Sequence, residues 1–99
     1  MKHVIDLKGN GRTITVQRGD TVELDLEENP TTGYRWQVSN GLDELESDQY
    51  ELLSATVGGG GMRKFTFLAD SSYELRLTNC RTWSGEVTGE PFTLDVVVD

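Results

Sequence analysis

Side chains able to carry out covalent chemistry are few in this sequence and lie far apart. A thiol nucleophile needs a base beside it, and the 99 residues contain one cysteine, Cys80, and one histidine, His3. His3 lies close to a predicted edge strand at the N-terminus, and no second histidine is present to activate Cys80. We therefore expect no catalytic residues. Cys80 is interpreted as a small, partly buried residue at a strand end, or else as an exposed thiol of modest reactivity.

Acidic and glycine-rich segments suggest two other kinds of site, and both patterns are incomplete. The pairs Glu27-Glu28 and Asp43-Glu44 are interpreted as solvent-facing charge, with a weak calcium contact as the alternative. The run Gly58-Gly59-Gly60-Gly61 is followed by a strand pattern and lacks the Lys-Ser/Thr and helix of a phosphate-binding loop. We expect no metal and no cofactor. The glycines either let a partner's surface approach the backbone or form a flexible hairpin turn.

The segment Asn29-Pro30-Thr31-Thr32-Gly33-Tyr34 has the residue types of a stiff, sharply turned loop. Pro30 fixes its own φ and favours extended geometry at Asn29, and Gly33 can adopt a positive φ. The two threonines at the tip offer hydroxyl and backbone groups to a narrow groove. By itself the segment also fits an ordinary turn.

The segment Arg81-Thr82-Trp83 follows a strand pattern that begins at Tyr73, at the point where the chain should emerge into solvent. Trp and Arg are enriched in binding hot spots because they combine a large contact area with directional polar groups. Trp83 is therefore either an exposed contact residue or a lid folded back on the core. Trp36 alternates with apolar neighbours and is predicted to lie in the core.

Short segments with alternating apolar and polar residues account for most of the chain. They are residues 4–7, 13–16, 21–27, 34–38, 50–57, 65–67, 73–77 and 92–98. Only residues 42–48 could form a helical turn, which is too short and acidic to supply a helix layer. This pattern predicts one all-β domain over residues 1–99, an immunoglobulin-like β-sandwich of about seven to eight antiparallel strands.

Composition narrows the possible partners and compartments. The net charge of −8 opposes binding to the phosphate backbone of nucleic acids, so we expect no nucleic-acid partner. No apolar stretch is long enough to cross a membrane, and no signal peptide is evident, which indicates a cytoplasmic protein or one exported with its signal already removed. The single cysteine excludes an intrachain disulfide. A monomer is expected for the free protein.

Chain connectivity predicts that one end of the sandwich is a recognition surface. If consecutive strands run antiparallel, segments 29–33, 58–61 and 79–91 share one end, and segments 39–49 and 69–72 share the other. The first group contains both prolines, seven of the eleven glycines and Trp83. Loops on a rigid scaffold lose little entropy on binding, so we expect a binding surface at this end.

Three segments, in this order and spacing, resemble the chagasin family of cysteine peptidase inhibitors. They are Asn29-Pro30-Thr31-Thr32-Gly33-Tyr34, Gly58-Gly59-Gly60-Gly61 and Arg81-Thr82-Trp83. The resemblance covers essentially the whole chain, and its first segment is highly specific for that family. It implies an immunoglobulin-like sandwich that inhibits papain-like cysteine peptidases reversibly and tightly, with the three loops forming a wedge across the active-site cleft.

The resemblance also implies a role for each loop. Thr31 and Thr32 would sit at the catalytic Cys/His pair of the peptidase, while the glycine loop and Trp83 contact the two walls of its cleft. The third segment of the family is typically Arg-Pro-Trp, and Thr82 replaces that proline here. Because the proline restricts the unfolded chain, its loss is expected to cost about 0.4–1 kcal/mol of preorganisation and a modest part of the affinity.

A generic immunoglobulin-like adhesion or carbohydrate-binding module is the alternative function, because this fold supports many activities. Sugar-binding modules usually display several exposed aromatic side chains over a groove or a sheet face. Only Trp83 is a candidate for such exposure in this sequence. The loop pattern therefore favours the peptidase inhibitor.

Overall fold

A computed structural model of the chain describes residues 1–29, 33–52, 60–81 and 83–99. The strands in these residues are β1 (Lys2–Asp6), β2 (Arg12–Val16), β3 (Asp20–Glu28), β4 (Tyr34–Asn40), β5 (Leu45–Leu52), β6 (Gly61–Ala69), β7 (Tyr73–Arg81) and β8 (Phe92–Val98). In the same described residues, single-turn 3₁₀ helices lie at Leu7–Gly9 and Leu42–Glu44. Among the described residues, no helix has the length and apolar character needed to span a membrane.

The strands form two four-stranded sheets that pack as a sandwich, which confirms the predicted all-β class. The first sheet has the order β1-β3-β6-β5 and the second has the order β2-β8-β7-β4. Four pairings are antiparallel, as predicted, but β1 pairs with β3 and β2 pairs with β8 in parallel. The reason is that β1 and β2 belong to different sheets, so neither pairs with its neighbour along the chain. Each pairs instead with a strand an even number of places away, and strands that alternate in direction along the chain are parallel at that separation.

The fifth strand begins earlier than its sequence pattern indicates. The predicted helical turn is present but is confined to Leu42–Glu44, and β5 starts at Leu45 instead of residue 50. Residues 47–49 are polar, yet they pair with residues 64–66 of β6. An edge strand needs only backbone hydrogen bonds on one side, so its outer residues need not be apolar. Residues 53–57 of the predicted strand lie outside the described residues.

The core is formed by the inward-facing residues of the four central strands. Those that are fully buried are Val22, Leu24, Leu26, Phe65, Phe67, Leu75, Leu77, Phe92, Leu94 and Val96. Burying one such side chain contributes about 1.5–3 kcal/mol, so this cluster supplies most of the driving force for folding. Trp36 is 9% exposed and packs on the same core, as predicted.

The two ends of the sandwich differ in what they carry. Strands β3 and β5 both run antiparallel to β6, so the β3–β4 and β5–β6 connections leave from the same end, which we call the loop end. The first and last residues of the chain meet at the opposite end. There Thr21 N donates to Met1 O (3.0 Å) and Asp99 N donates to Val16 O (2.8 Å).

Asp20 fixes edge strand β1 at the end opposite the loop end. Its carboxylate contacts His3 Nε2 (2.9 Å) and the amino-terminal ammonium (2.9 Å), and it accepts a hydrogen bond from Gln17 N (3.0 Å). These contacts hold the pKa of Asp20 well below its usual range, and the hydrogen bond with His3 contributes most to this shift. Because the carboxylate is favoured in the folded protein, it stabilises the fold above the pKa that it has in the unfolded chain.

We expect wild-type protein to lose more stability than the Asp20→Asn variant as the pH falls from about 5 to about 3. The folded pKa is the lower one, so the contribution of Asp20 is lost as protonation proceeds toward that value. Urea unfolding of both proteins at neutral and acidic pH measures the difference. The exposed Asp70, changed to Asn, is the control. If the difference in unfolding free energy between wild type and Asp20→Asn were the same at both pH values, the ionised Asp20 carboxylate would not stabilise the fold.

Candidate functional site

The first and third loops meet where Gly33 faces Trp83. Gly33 has a φ of +80°, the positive value that the sequence predicts. A Cβ atom added at Gly33 would overlap the Trp83 ring, so the indole lies directly against this glycine. Trp83 nevertheless remains 71% exposed, which decides between the two interpretations of its position in favour of an exposed residue. The first and third loops therefore lie next to each other, as predicted, at the residues that the structure describes.

The third loop is framed by a short hairpin that extends β7. Residues 79–81 face residues 86–88, and Cys80 forms an isolated antiparallel bridge with Val87. The backbone hydrogen bonds are Thr88 N to Asn79 O (2.9 Å), Arg81 N to Glu86 O (2.8 Å) and Gly85 N to Arg81 O (2.8 Å). Thr82 lies outside the described residues. The bonds hold the backbone of Arg81 before it and of Gly85 after it.

Four side chains beside this hairpin form what we call the Arg81 cluster: Tyr34, Arg81, Trp83 and Glu86. The Arg81 guanidinium lies 4.5 Å from the centroid of the Tyr34 ring and 5.8 Å from that of Trp83. Glu86 Oε2 accepts from Arg81 Nη1 and from Tyr34 OH, each at 3.3 Å. Partly exposed cation–π contacts and ion pairs are each worth about 1 kcal/mol or less. The cluster therefore contributes little to the stability of the fold, and it joins side chains of the first and third segments.

The last glycines of the second loop lie beside the end of β3, where the first loop begins. Gly60 is exposed, and a Cβ atom added there would come within 3.8 Å of Glu28 O. Gly61 is buried as the first residue of β6, where a Cβ atom would overlap the Tyr50 hydroxyl and approach Glu51 O at 2.5 Å. The predicted glycine loop thus ends at residue 60, and Gly61 is a packing position.

Beneath the first two loops lies a buried ion pair between Glu28 and Arg63. The Glu28 side chain is 1% exposed, and its Oε2 accepts from Arg63 Nε (2.9 Å) and Nη2 (2.6 Å). Its Oε1 accepts from Trp36 N (2.7 Å). Burial alone would lower the pKa of Arg63, but the carboxylates of Glu28 and Asp48 hold it above its usual value. The interpretation of Glu28 as solvent-facing charge is therefore wrong, because these donors replace the water that it loses.

The structure brings the described members of the predicted site together at one end. Asn29, Gly33 and Tyr34 belong to the first segment, Gly60 and Gly61 to the second, and Arg81 and Trp83 to the third. The remaining predicted residues lie outside the described residues: Pro30, Thr31, Thr32, Gly58, Gly59 and Thr82. Cys80 is partly buried at the end of β7, in agreement with the first interpretation of this residue.

Two features of this end were missed by the sequence interpretation. Glu28 has the same parity in β3 as the buried Leu24 and Leu26, and Arg63 has the same parity in β6 as Phe65. Continuing the alternation to the strand ends would have placed both side chains inside. Glu86 carried no comparable signal, because it faces Arg81 only through the hairpin. Over the described parts of the chain, no group of three or more His, Cys, Asp or Glu side chains is arranged to hold a metal ion.

Comparisons with known proteins agree on one family. A family model described as "Chagasin family peptidase inhibitor I42" matches residues 15–98. Chagasin from Trypanosoma cruzi is 34% identical over 95 residues, which cover 86% of this chain and 86% of that relative. Amoebiasin-1 from Entamoeba histolytica is 34% identical over 94 residues, covering 90% of this chain and 92% of that protein.

Solved structures show the same sandwich. The cysteine protease inhibitor EhICP2 from Entamoeba histolytica superposes with a TM-score of 0.84 at 23% identity, covering 99% of this chain and 96% of its own. PbICP-C, solved in complex with falcipain-2, superposes with a TM-score of 0.63 at 19% identity, covering 100% of this chain and 90% of its own. At these identities the likeness establishes the fold.

Proposed function

Because the chain belongs to the chagasin family of peptidase inhibitors, we propose that its loop end occludes the active-site cleft of papain-like cysteine peptidases. The protein is an inhibitor of papain-like cysteine peptidases and not an enzyme. The alternative of a generic adhesion or carbohydrate-binding module is accordingly set aside. The observation that carries the proposal is the contact between Gly33 and Trp83, which joins two of the three family segments into one surface.

The exposed indole of Trp83 is suited to one wall of a cleft. It is 71% exposed although it packs against Gly33 on one side and faces the Arg81 guanidinium on another. An indole that is already oriented loses little rotamer freedom on binding. Little of the binding free energy from its contact area is therefore lost to ordering the side chain. Trp83 is therefore proposed as the main contact of the third loop.

The other two loops are proposed to fill and flank the cleft. Thr31 and Thr32 would face the catalytic Cys/His pair, and the exposed backbone at Gly60, with Gly58 and Gly59, would approach the opposite wall. Tyr34 and Gly61 are assigned supporting roles. The Tyr34 ring packs against the Arg81 guanidinium, and the missing side chain of Gly61 leaves room for the Tyr50 hydroxyl. Inhibition of this kind is reversible and leaves the inhibitor uncut, since no carbonyl needs to be presented to the nucleophile at attack geometry.

Titration against a papain-like peptidase tests the proposal. We expect residual activity on a small fluorogenic substrate to fall to near zero as the inhibitor reaches the enzyme concentration. Activity should return on large dilution, and the inhibitor should remain intact by mass spectrometry. A serine peptidase assayed in parallel is the control for non-specific effects. Undiminished activity of the papain-like enzyme at micromolar inhibitor would refute the function.

A further inference from the structure

We propose that the buried Glu28–Arg63 ion pair is a positioning element that sets the first and second loops in the arrangement required for tight inhibition. The inference rests on the proposed function and adds residues that lie beneath the loops instead of in them. Neither side chain is available to a peptidase, because Glu28 is 1% and Arg63 is 15% exposed. Any effect on binding must therefore act through the loops that they carry.

Glu28 closes the base of the first loop across the two sheets. It is the last residue of β3 in one sheet, and its Oε1 accepts from the backbone N of Trp36, in β4 of the other sheet, at 2.7 Å. Trp36 Nε1 in turn donates to Glu27 O (2.9 Å). The residues on both sides of the loop are thus joined by two hydrogen bonds, one of them charge-assisted and correspondingly strong.

Arg63 connects the same carboxylate to the strands that flank the second loop. It donates two hydrogen bonds to Glu28 Oε2 from β6 and one from Nη1 to Asp48 in β5 (3.1 Å). Its guanidinium also lies 5.3 Å from the centroid of the Tyr50 ring, whose hydroxyl donates to Glu28 O (3.3 Å). Strands β5 and β6, which the second loop connects, are therefore both tied to the end of β3.

The geometry of the pair favours positioning over stabilisation. Two bonds, from Nε and Nη2 of the planar guanidinium, converge on the single oxygen Oε2, so they restrict direction as well as distance. The energy gained by a buried ion pair is largely offset by the cost of removing both charges from water, so apolar replacements are often equally stable. A pair of this kind is thus expected to affect the orientation of the two loops more than the stability of the sandwich.

The test is a double variant that removes both charges, Glu28→Gln with Arg63→Met. The glutamine oxygen can still accept from Trp36 N, and methionine retains the volume of the arginine stem, so no unpaired charge is left buried. We expect the unfolding midpoint to stay close to wild type and the inhibition constant to rise by about tenfold, chiefly through slower association, because fewer molecules hold the competent loop arrangement.

The matched control is the double variant Lys2→Met with Glu23→Gln, which removes a 2.8 Å ion pair between β1 and β3. It should leave the inhibition constant unchanged. Arg63→Lys keeps the positive charge but loses the planar guanidinium and its paired donors, so it should give an intermediate inhibition constant. This variant serves as the test if the double variant does not fold.

The outcomes separate the two claims. If wild type inhibits and the folded Glu28→Gln, Arg63→Met protein inhibits equally well, the positioning role is overturned while the proposed function stands. An Arg63→Lys constant equal to that of wild type, where only this variant folds, has the same consequence. If wild type fails to inhibit any papain-like peptidase, both claims are overturned.

Discussion

Replacing Gly33 with alanine is expected to weaken inhibition by about tenfold or more, because the change acts on two loops at once. The φ of +80° disfavours any side chain, at a cost of about 1–2 kcal/mol. In addition, the new methyl group occupies the space of the Trp83 ring, which must move away. Inhibition constants against a papain-like peptidase, measured together with unfolding free energies, check both effects.

Gly19→Ala is the matched control for this prediction. Gly19 also has a positive φ, +92°, but nothing lies within 4 Å of an added Cβ atom, and the residue lies just before β3, away from the loop end. It should lose about the same 1–2 kcal/mol of stability and inhibit as well as wild type. A folded Gly33→Ala protein with an unchanged inhibition constant would show that the packing of Trp83 on Gly33 does not matter for binding.

The Trp83→Ala variant is expected to raise the inhibition constant by at least about tenfold, equivalent to roughly 1.4 kcal/mol of binding free energy. Because the side chain is 71% exposed, its removal should change the free energy of unfolding by less than about 0.5 kcal/mol. Separate kinetic measurements should place most of the change in the dissociation rate, as is usual for a lost interface contact.

Leu42→Ala provides the comparison for Trp83→Ala. Leu42 is another large, exposed apolar side chain, at 63%, but it follows β4 and precedes β5, at the end away from the loops. Its replacement should leave inhibition unaltered. If both variants lost affinity equally, or if Trp83→Ala lost none, Trp83 could not be the main contact of the third loop.

The sequence was informative about this fold where residues alternate strictly. The pattern from Val22 to Leu26 predicts a half-buried strand, and β3 and β8 were located nearly to the residue. It was less informative at the sheet edges. Strand β5 is formed largely by polar residues, and its position is set by backbone pairing with β6. The parallel pairings of β1 with β3 and of β2 with β8 depend on which sheet each strand joins, which no local pattern shows.

For the candidate site, residue types predicted the loops but not what supports them. The positive φ at Gly33 follows from its residue type and position. The burial of Glu28 could have been inferred by extending the alternation of β3, but its partner could not, because Arg63 lies on a strand distant in sequence. The contact between Arg81 and Glu86 depends on a hairpin, and no local sequence pattern predicts the backbone hydrogen bonds of that hairpin.

The meeting of the first and last residues at the end opposite the loops has a practical consequence. Met1 contacts Asp20 at the start of β3, and Asp99 is hydrogen-bonded to Val16 beside it. A tag, a surface linker or a fused domain attached at either terminus would therefore point away from the loop end, and so away from a peptidase bound there as proposed. The domain can be immobilised on a sensor, or joined in tandem copies, with its loop end still open to solvent.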